Sequence, residues 1–276
     1  MDGGTLYVVA TPIGNLDDAS ARAIEALRGA HIIACEDTRT SKTLLARFAI
    51  SGKTVALHEH NERAAAAGLI AALRKGYDIA MISDAGTPAL SDPGAHLVAE
   101  AHKAGIRVSP VPGPSAAAAA FSASGFPATG FLFAGFLPAS GAVRRKAIGA
   151  LEGPWPAVIF EAPHRIAATL DELAARFGAE REIVIARELT KKFEEVARMP
   201  LGQAGAWLAA DPHRRQGEFV LVLSAGAPKP ADRAEAERVL GALLEALPPS
   251  EAAKIAARVT GVPKAELYRK ALERAK

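Results

Sequence analysis

One cysteine, Cys35, occurs among 276 residues. A lone thiol forms no intramolecular disulfide and builds no thiolate cluster for structural zinc, so the composition fits a reducing cytoplasm. Long hydrophobic runs are missing too, and none approaches membrane-spanning length. The first apolar run, residues 6–10, follows Met-Asp-Gly-Gly rather than basic residues and reads as a buried strand, not a signal peptide. No G-x-G-x-x-G is present, which removes the dinucleotide fingerprint. Ser51-Gly-Lys-Thr54 imitates the end of a phosphate-binding P-loop, but Arg47 stands where the first glycine is needed and a strand pattern follows. Gly113-Pro-Ser-Ala-Ala117 imitates a nucleophile elbow without its final glycine, and a helix N-cap suits Ser115 better.

Half of the residues are hydrophobic, enough for a sizeable core, and the length suits two α/β lobes with a small appendage. The net charge of +3 is unevenly distributed: residues 1–228 carry 23 Lys+Arg and 23 Asp+Glu, residues 229–276 ten and seven. The whole excess lies in the tail, where it serves either a polyanion or an ordinary solvated face.

Apolar, β-branched runs at residues 6–10, 31–34, 54–57, 79–83 and 108–111 alternate with helical patterns, among them 18–28, 62–75 and 93–104, each closed by glycine. That rhythm predicts a parallel sheet. Beyond a Pro-rich stretch and a helix at 115–124, strands are expected at 131–136, 157–161, 183–187, 195–199 and 219–223, with fewer helices per strand and hence a mixed sheet. The expected division is 1–114, 115–226 and 227–276. In the last segment, Ser250 is expected to cap a helix that Gly261 ends. A second helix starts near Pro263, with Leu267, Tyr268 and Leu272 to pack it, in a helix-turn-helix pattern.

Residues 83–94, SDAGTPALSDPG, follow a buried strand and precede a helix, which places them where open α/β sheets bind ligands. Twelve residues with two Gly/Pro clusters exceed what a connection needs. Gly86 allows close backbone approach, Pro88 and Pro93 stiffen the loop, and Asp84 supplies an acceptor. The strand-end loops at 10–15 and 112–116 are built alike; convergence of all three would form a pocket. His58 and His60 are expected on one face of a strand, a spacing that can bind metal, but no third ligand is evident and no metal is expected. Glu36, Asp37 and Arg39 follow the second strand; Arg165, Arg187 and Lys191 follow strands of the second lobe and suit either phosphate contacts or ion-pair networks.

Taken in order, LYVVATPIGNL (6–16), CEDTRTS (35–41), LHEHNE (57–62), ISDAGTP (82–88), SDPG (91–94), PGPS (112–115), GFLP (135–138), EAPHR (161–165), ARELT (186–190) and GEFV (217–220) closely resemble the ribosomal RNA small-subunit methyltransferase I family. The resemblance spans nearly the whole chain. It implies a two-lobed tetrapyrrole-methylase-like fold, with a parallel-sheet N-terminal lobe, a mixed-sheet C-terminal lobe and a small helical tail. It also implies S-adenosylmethionine in the cleft, a homodimer, and 2′-O-methylation of cytidine 1402 of 16S rRNA in the small subunit. Carried over by motif, Pro12, Asp84, Ala85, Gly86, Thr87, Pro88, Ser115 and Ala116 match the family's cofactor loops. Glu36, Asp37 and His60 are the candidates for the proton acceptor; Arg39, Arg165, Arg187 and Lys191 are those for RNA contact. A tetrapyrrole-like small-molecule methyltransferase, or a non-catalytic nucleic-acid-binding protein, is the alternative.

Overall fold

The computed structural model describes residues 3–226 and 233–274. The chain divides into two compact units, Met1–Ala225 and Gly226–Lys276.

The first unit contains two five-stranded sheets. In the first, β1 (Thr5–Val9), β2 (Ile32–Cys35), β3 (Lys53–Ala56), β4 (Ile79–Ile82) and β5 (Arg107–Val111) are all parallel, in the order β3-β2-β4-β1-β5. Its crossovers contain α1 (Ala21–Gly29), α2 (Thr38–Arg47), α3 (Glu62–Arg74) and α4 (Ala95–Lys103). A parallel sheet covered on both faces needs strands apolar on both faces, and β4 is buried at all four positions. The sheet's two faces accordingly belong to separate hydrophobic clusters, Leu6 and Met81 on one side, Val9 and Ala80 on the other.

The second sheet follows α5 (Ala116–Ser124) and comprises β6 (Leu132–Phe136), β7 (Ala157–Glu161), β8 (Glu182–Arg187), β9 (Glu195–Pro200) and β10 (Phe219–Leu223). Its order is β6-β7-β10-β8-β9; only β6 and β7 run parallel, so the sheet is mixed, as the scarcity of helices indicated. The helices α6 (Gly141–Gly149), α7 (Ile166–Phe177) and α8 (Leu201–Ala209) contribute Ile148, Leu170 and Leu208 to the core on one face, and α5 contributes Ala117 and Ala120 to the other.

Several local expectations change. The segment 18–28 is not one helix. A 3-10 turn, Leu16–Asp18, capped by Asn15, comes first, and α1 starts only after Ser20, whose Oγ accepts from Ala23 N at 3.1 Å. Two adjacent caps compete there, and the serine sets the longer helix. The third helix starts at Ala95 rather than Pro93, because Gly94 takes φ +124. Its N-terminus is capped from a distance: Glu62 Oε1 accepts from the N–H groups of Gly94, His96 and Leu97. His58 and His60 do not share a strand face, since β3 ends at Ala56 and both lie at the turn beyond it. Asn61 builds that turn, its Oδ1 accepting from His58 N and its Nδ2 donating to Ala56 O.

The second unit is three helices, α9 (Arg233–Leu244), α10 (Pro249–Thr260) and α11 (Lys264–Arg274), around a small core that includes Leu240, Ala253, Ala256, Val262 and Leu267. Gly261 ends α10 at φ +74 as expected, but Ser250 lies inside the first turn and Pro248 occupies the cap. Of the three side chains assigned to packing, Leu267 is buried; Tyr268 and Leu272 are exposed.

Candidate active site

Three strand-end loops of the parallel sheet meet at one rim, and main-chain hydrogen bonds lock them together. Thr11 and Gly86 form an antiparallel bridge, Thr11 N donating to Gly86 O at 2.8 Å and Gly86 N to Thr11 O at 3.1 Å. Thr87 Oγ1 donates to Pro114 O at 3.1 Å, and Ala10 N to Val111 O at the same distance. Gly86 sits at φ +80, and a Cβ there would lie 3.3 Å from Ile13 Cγ2, so the junction of loops requires glycine. Ser115 caps α5 with Oγ, 3.5 Å from Ala118 N, and aims the start of that helix at the rim.

Beside this rim, between the two sheets, lies a cavity of about 440 Å³, within the range of small-molecule sites. Of the residues assigned to the cofactor, Asp84, Ala85, Gly86, Thr87, Ser115 and Ala116 line it; Pro12 and Pro88 do not, and Ile13, next to the first, does. Glu36 lines it as well. The cavity also takes in Leu90 and Asp92 from the 83–94 loop, and Phe133, Phe136, Phe160, Leu189 and Val220 from the second half. Their signal in the sequence is weak, because strand residues facing a ligand look like strand residues facing a core.

The acids there are crowded. Burial, then the charges of Asp92 and Asp84, push the Glu36 carboxyl up from its ordinary value. Asp92 is likewise raised, by burial first and by Asp84, against a hydrogen bond to Ser83. Asp84 Oδ1 accepts from Asp37 N at 3.1 Å, tying the ends of β4 and β2 together.

Asp37 and Arg39 lie to the side, around a shallower hollow that shares Glu36 and Asp84 with the cavity and includes His58. Asp37 caps α2, its Oδ1 accepting from Arg39 N at 2.7 Å, and the Arg39 side chain holds the carboxyl down to about 2. Arg39 itself is 86% exposed. His60 is exposed in the turn and lines neither space; His58 lines the hollow, with a buried Nδ1 that has no partner.

The cations of the second half are placed differently from one another. Arg187 is 7% exposed, and its guanidinium donates to the carbonyls of Gln216, Phe193 and His213, so it holds loops rather than facing solvent. Arg165 lies 3.0 Å from Glu161 and donates to Leu137 O at 2.7 Å. Glu161 is fully buried and also accepts from Thr169 at 2.6 Å, which fixes the start of the cavity-lining turn Ala162-Pro163. Lys191 bridges Glu188 and Glu218 at 3.0 and 3.1 Å, and opens with Arg47, Lys192 and Asn15 onto a separate surface hollow. Among the described residues, no group of three or more His, Cys, Asp or Glu side chains is arranged to hold a metal ion, and no helix is long and apolar enough to cross a membrane.

Residues 5–205 match the family model of the Tetrapyrrole (Corrin/Porphyrin) Methylases, and residues 230–275 match that of the RsmI C-terminal HTH domain. The chain is 50% identical to Ribosomal RNA small subunit methyltransferase I of Pseudomonas aeruginosa, over 99% of both chains. It is 45% identical to the protein of that name from Escherichia coli O157:H7, covering 98% of this chain and 95% of the relative. Among solved structures, diphthine synthase superposes with a TM-score of 0.61 at 16% identity, covering 80% of this chain and 90% of that one. Uroporphyrin-III C-methyl transferase from Thermus thermophilus, complexed with S-adenyl homocysteine, gives 0.55 at 18% identity, with 80% and 97% covered. Those structural likenesses establish the two-lobed fold, and the identity of sequence along the full length establishes more: the chain belongs to the ribosomal RNA small subunit methyltransferase I family of the tetrapyrrole methylase superfamily.

Proposed function

We propose that this protein transfers a methyl group from S-adenosylmethionine to the ribose 2′-oxygen of cytidine 1402 of 16S rRNA, acting on the small ribosomal subunit as a homodimer. The position on the RNA rests on the family resemblance. The observation that carries the choice of substrate class is the charge of the cavity: among the described lining residues there are five carboxylates, Glu36, Asp84, Asp92, Glu161 and Glu218, and no Lys, Arg or His. Such a lining suits a cationic sulfonium and an uncharged nucleoside. A tetrapyrrole bearing several carboxylates would meet like charge, since Arg165 and Lys191, the cations beside this lining, are already paired with Glu161 and Glu218, which disfavours the small-molecule reading.

The residues fit the cofactor. The cavity has the right scale, and its loops converge on a glycine that a Cβ would crowd. When bound, the cofactor supplies an already activated methyl group, so the protein's task is alignment. The rim of cross-bonded loops and the capped start of α5 hold the donor side still. Of the three proton-acceptor candidates, Glu36 alone lines the cavity, and its raised affinity for a proton suits it to take one from the ribose hydroxyl. Asp37 is committed to Arg39 and to the α2 cap, and His60 lies outside.

Purified protein with radiolabelled cofactor is expected to label small-subunit particles at one ribose. Label on a tetrapyrrole and on no ribosomal substrate would reverse the assignment. At saturating cofactor, Glu36→Gln is expected to lower kcat by about 10²- to 10⁴-fold, the usual worth of a positioned base. Asp37→Asn and His60→Ala should lower it far less; equal losses in all three would remove Glu36 from the role.

A further inference from the structure

The wall that the second sheet gives to the cavity owes its shape to one inserted residue. β6 pairs with β7 in the register Phe133 to Val158, Gly135 to Ile159 and Phe136 to Phe160, with a shift between Phe133 and Gly135. Strict alternation would send Phe133 and Phe136 to opposite faces. The shift sends both to the same face: both line the cavity, and both meet Phe160 edge-on, with centroids 5.1 and 5.5 Å apart. Ala134 and Leu137 pack into the core behind. Bulges that re-aim side chains recur beside functional sites.

The bulge also brings the two halves of the unit together. Gly135, which follows the unpaired Ala134, takes φ +61, and a Cβ on it would lie 2.6 Å from Ser91 Oγ, so the 83–94 loop rests directly against the bulge. That loop is strained where it does so, Ala89 and Ser91 both adopting φ +66, and it holds Leu90 44% exposed at the cavity. Phe136 is 57% exposed. A hydrophobic core gains nothing from a strained loop and a bulge that leave a phenylalanine half in solvent.

We infer that Phe136, backed by Phe160 and presented by the Gly135 bulge, is the platform on which the unpaired target base of the RNA stacks. The inference rests on the RNA reading above. A ribose 2′-oxygen reaches an enclosed site only when its nucleotide is splayed from its neighbours, and an exposed aromatic face then replaces the lost stacking. Phosphates stay outside, because no cation lines the cavity among the described residues. The carboxylates that do line it can accept from the exocyclic amine of cytosine, as Asp and Glu do elsewhere.

Steady-state methylation of small-subunit particles tests this with Phe136→Ala and Phe136→Tyr, beside calorimetric titration of each with S-adenosylmethionine. Phe136→Ala is expected to raise KM for the particle by about 5- to 150-fold, the span of single-base stacking losses. Cofactor affinity should be unchanged, and Phe136→Tyr, which keeps the ring, should recover most of the loss. An unchanged KM, any fall in cofactor affinity, or an equal defect in the tyrosine variant would overturn the proposal. Failure of the wild-type protein to label any ribosomal substrate would instead remove the RNA reading itself, and needs no variant to be seen.

Discussion

Asp92 and Glu36 are acids held where charge is discouraged, each part-buried and each facing Asp84. For Asp92 the consequence for stability has a definite sign. Its folded-state pKa lies above the ordinary 3.8, so its favourable contribution is complete below that pH and is lost as pH rises through the folded value. Asp92→Asn removes the titration. The variant is therefore expected to melt higher than wild type at pH 7, with the gap closing as the pH falls to about 4, as read by thermal unfolding across that range. An equal gap at both ends would show that the charge is not the cause. Asp37 has the opposite sign: its carboxyl is held near 2 by Arg39, and what it contributes is present above 3.8 and lost only toward pH 2. At this level the sequence was partly informative. Asp84 to Thr87 could be recognised because they are contiguous after a buried strand; Asp92 could not, because its significance is its distance from acids 8 and 56 residues away.

The glycine-serine contact between β6 and the 83–94 loop gives a test of how the elements fit. Gly135→Ala places a side chain on left-handed backbone, at a cost of about 1–2 kcal/mol, and adds a collision with Ser91. Introducing Ser91→Gly relieves the collision and the strain at position 91 together. Chemical denaturation of the single and double variants is expected to show non-additivity, with Ser91→Gly stabilising the Gly135→Ala background more than the wild type. Additive effects would mean that the two segments are not constrained by each other. Strand and helix identities followed well from periodicity, because β4 is apolar throughout and α3 stops before Gly76, whose φ is +91. The bulge in β6 was invisible, since a one-residue insertion leaves a short apolar run looking like any other. The cap on α4 escaped for another reason: its acceptor, Glu62, sits 32 residues before Gly94.

The charge balance of the whole molecule becomes more specific once the tail's ion pairs are known. Arg233 pairs with Glu266, Arg238 with Glu235, and Lys270 with Glu237. Lys254, Arg258, Lys264 and Arg269 are exposed on α10 and α11 and, among the described residues, form no ion pair. Contact of these four with phosphate makes binding salt-dependent by roughly 0.7–0.9 logarithmic units per phosphate neutralised. Replacing all four with alanine is expected to weaken binding to small-subunit RNA and to flatten its salt dependence, while cofactor affinity stays the same. A salt slope identical to wild type would assign the tail a structural role. Charge in the first unit is balanced across its length, and several of its cations are spent internally: Arg144 on Glu172 and Pro138, Arg187 on three carbonyls, Lys191 on two glutamates.

What the sequence determined alone was whatever is encoded locally or in order along the chain. That includes the alternation that makes a parallel sheet, the loops at its strand ends, the Ser115 cap, the Gly261 stop, the excess of bases in the tail, and the run of motifs that marks the family. Tertiary structure decided which of those residues meet. It separated Glu36 from Asp37 and His60, buried Arg187 among carbonyls, and used a single inserted residue, next to Gly135, to turn Phe136 toward the cavity. The physical reason is the same in each case: a side chain's chemistry is set by burial and by neighbours distant in sequence, and neither is carried by the residue or its immediate surroundings.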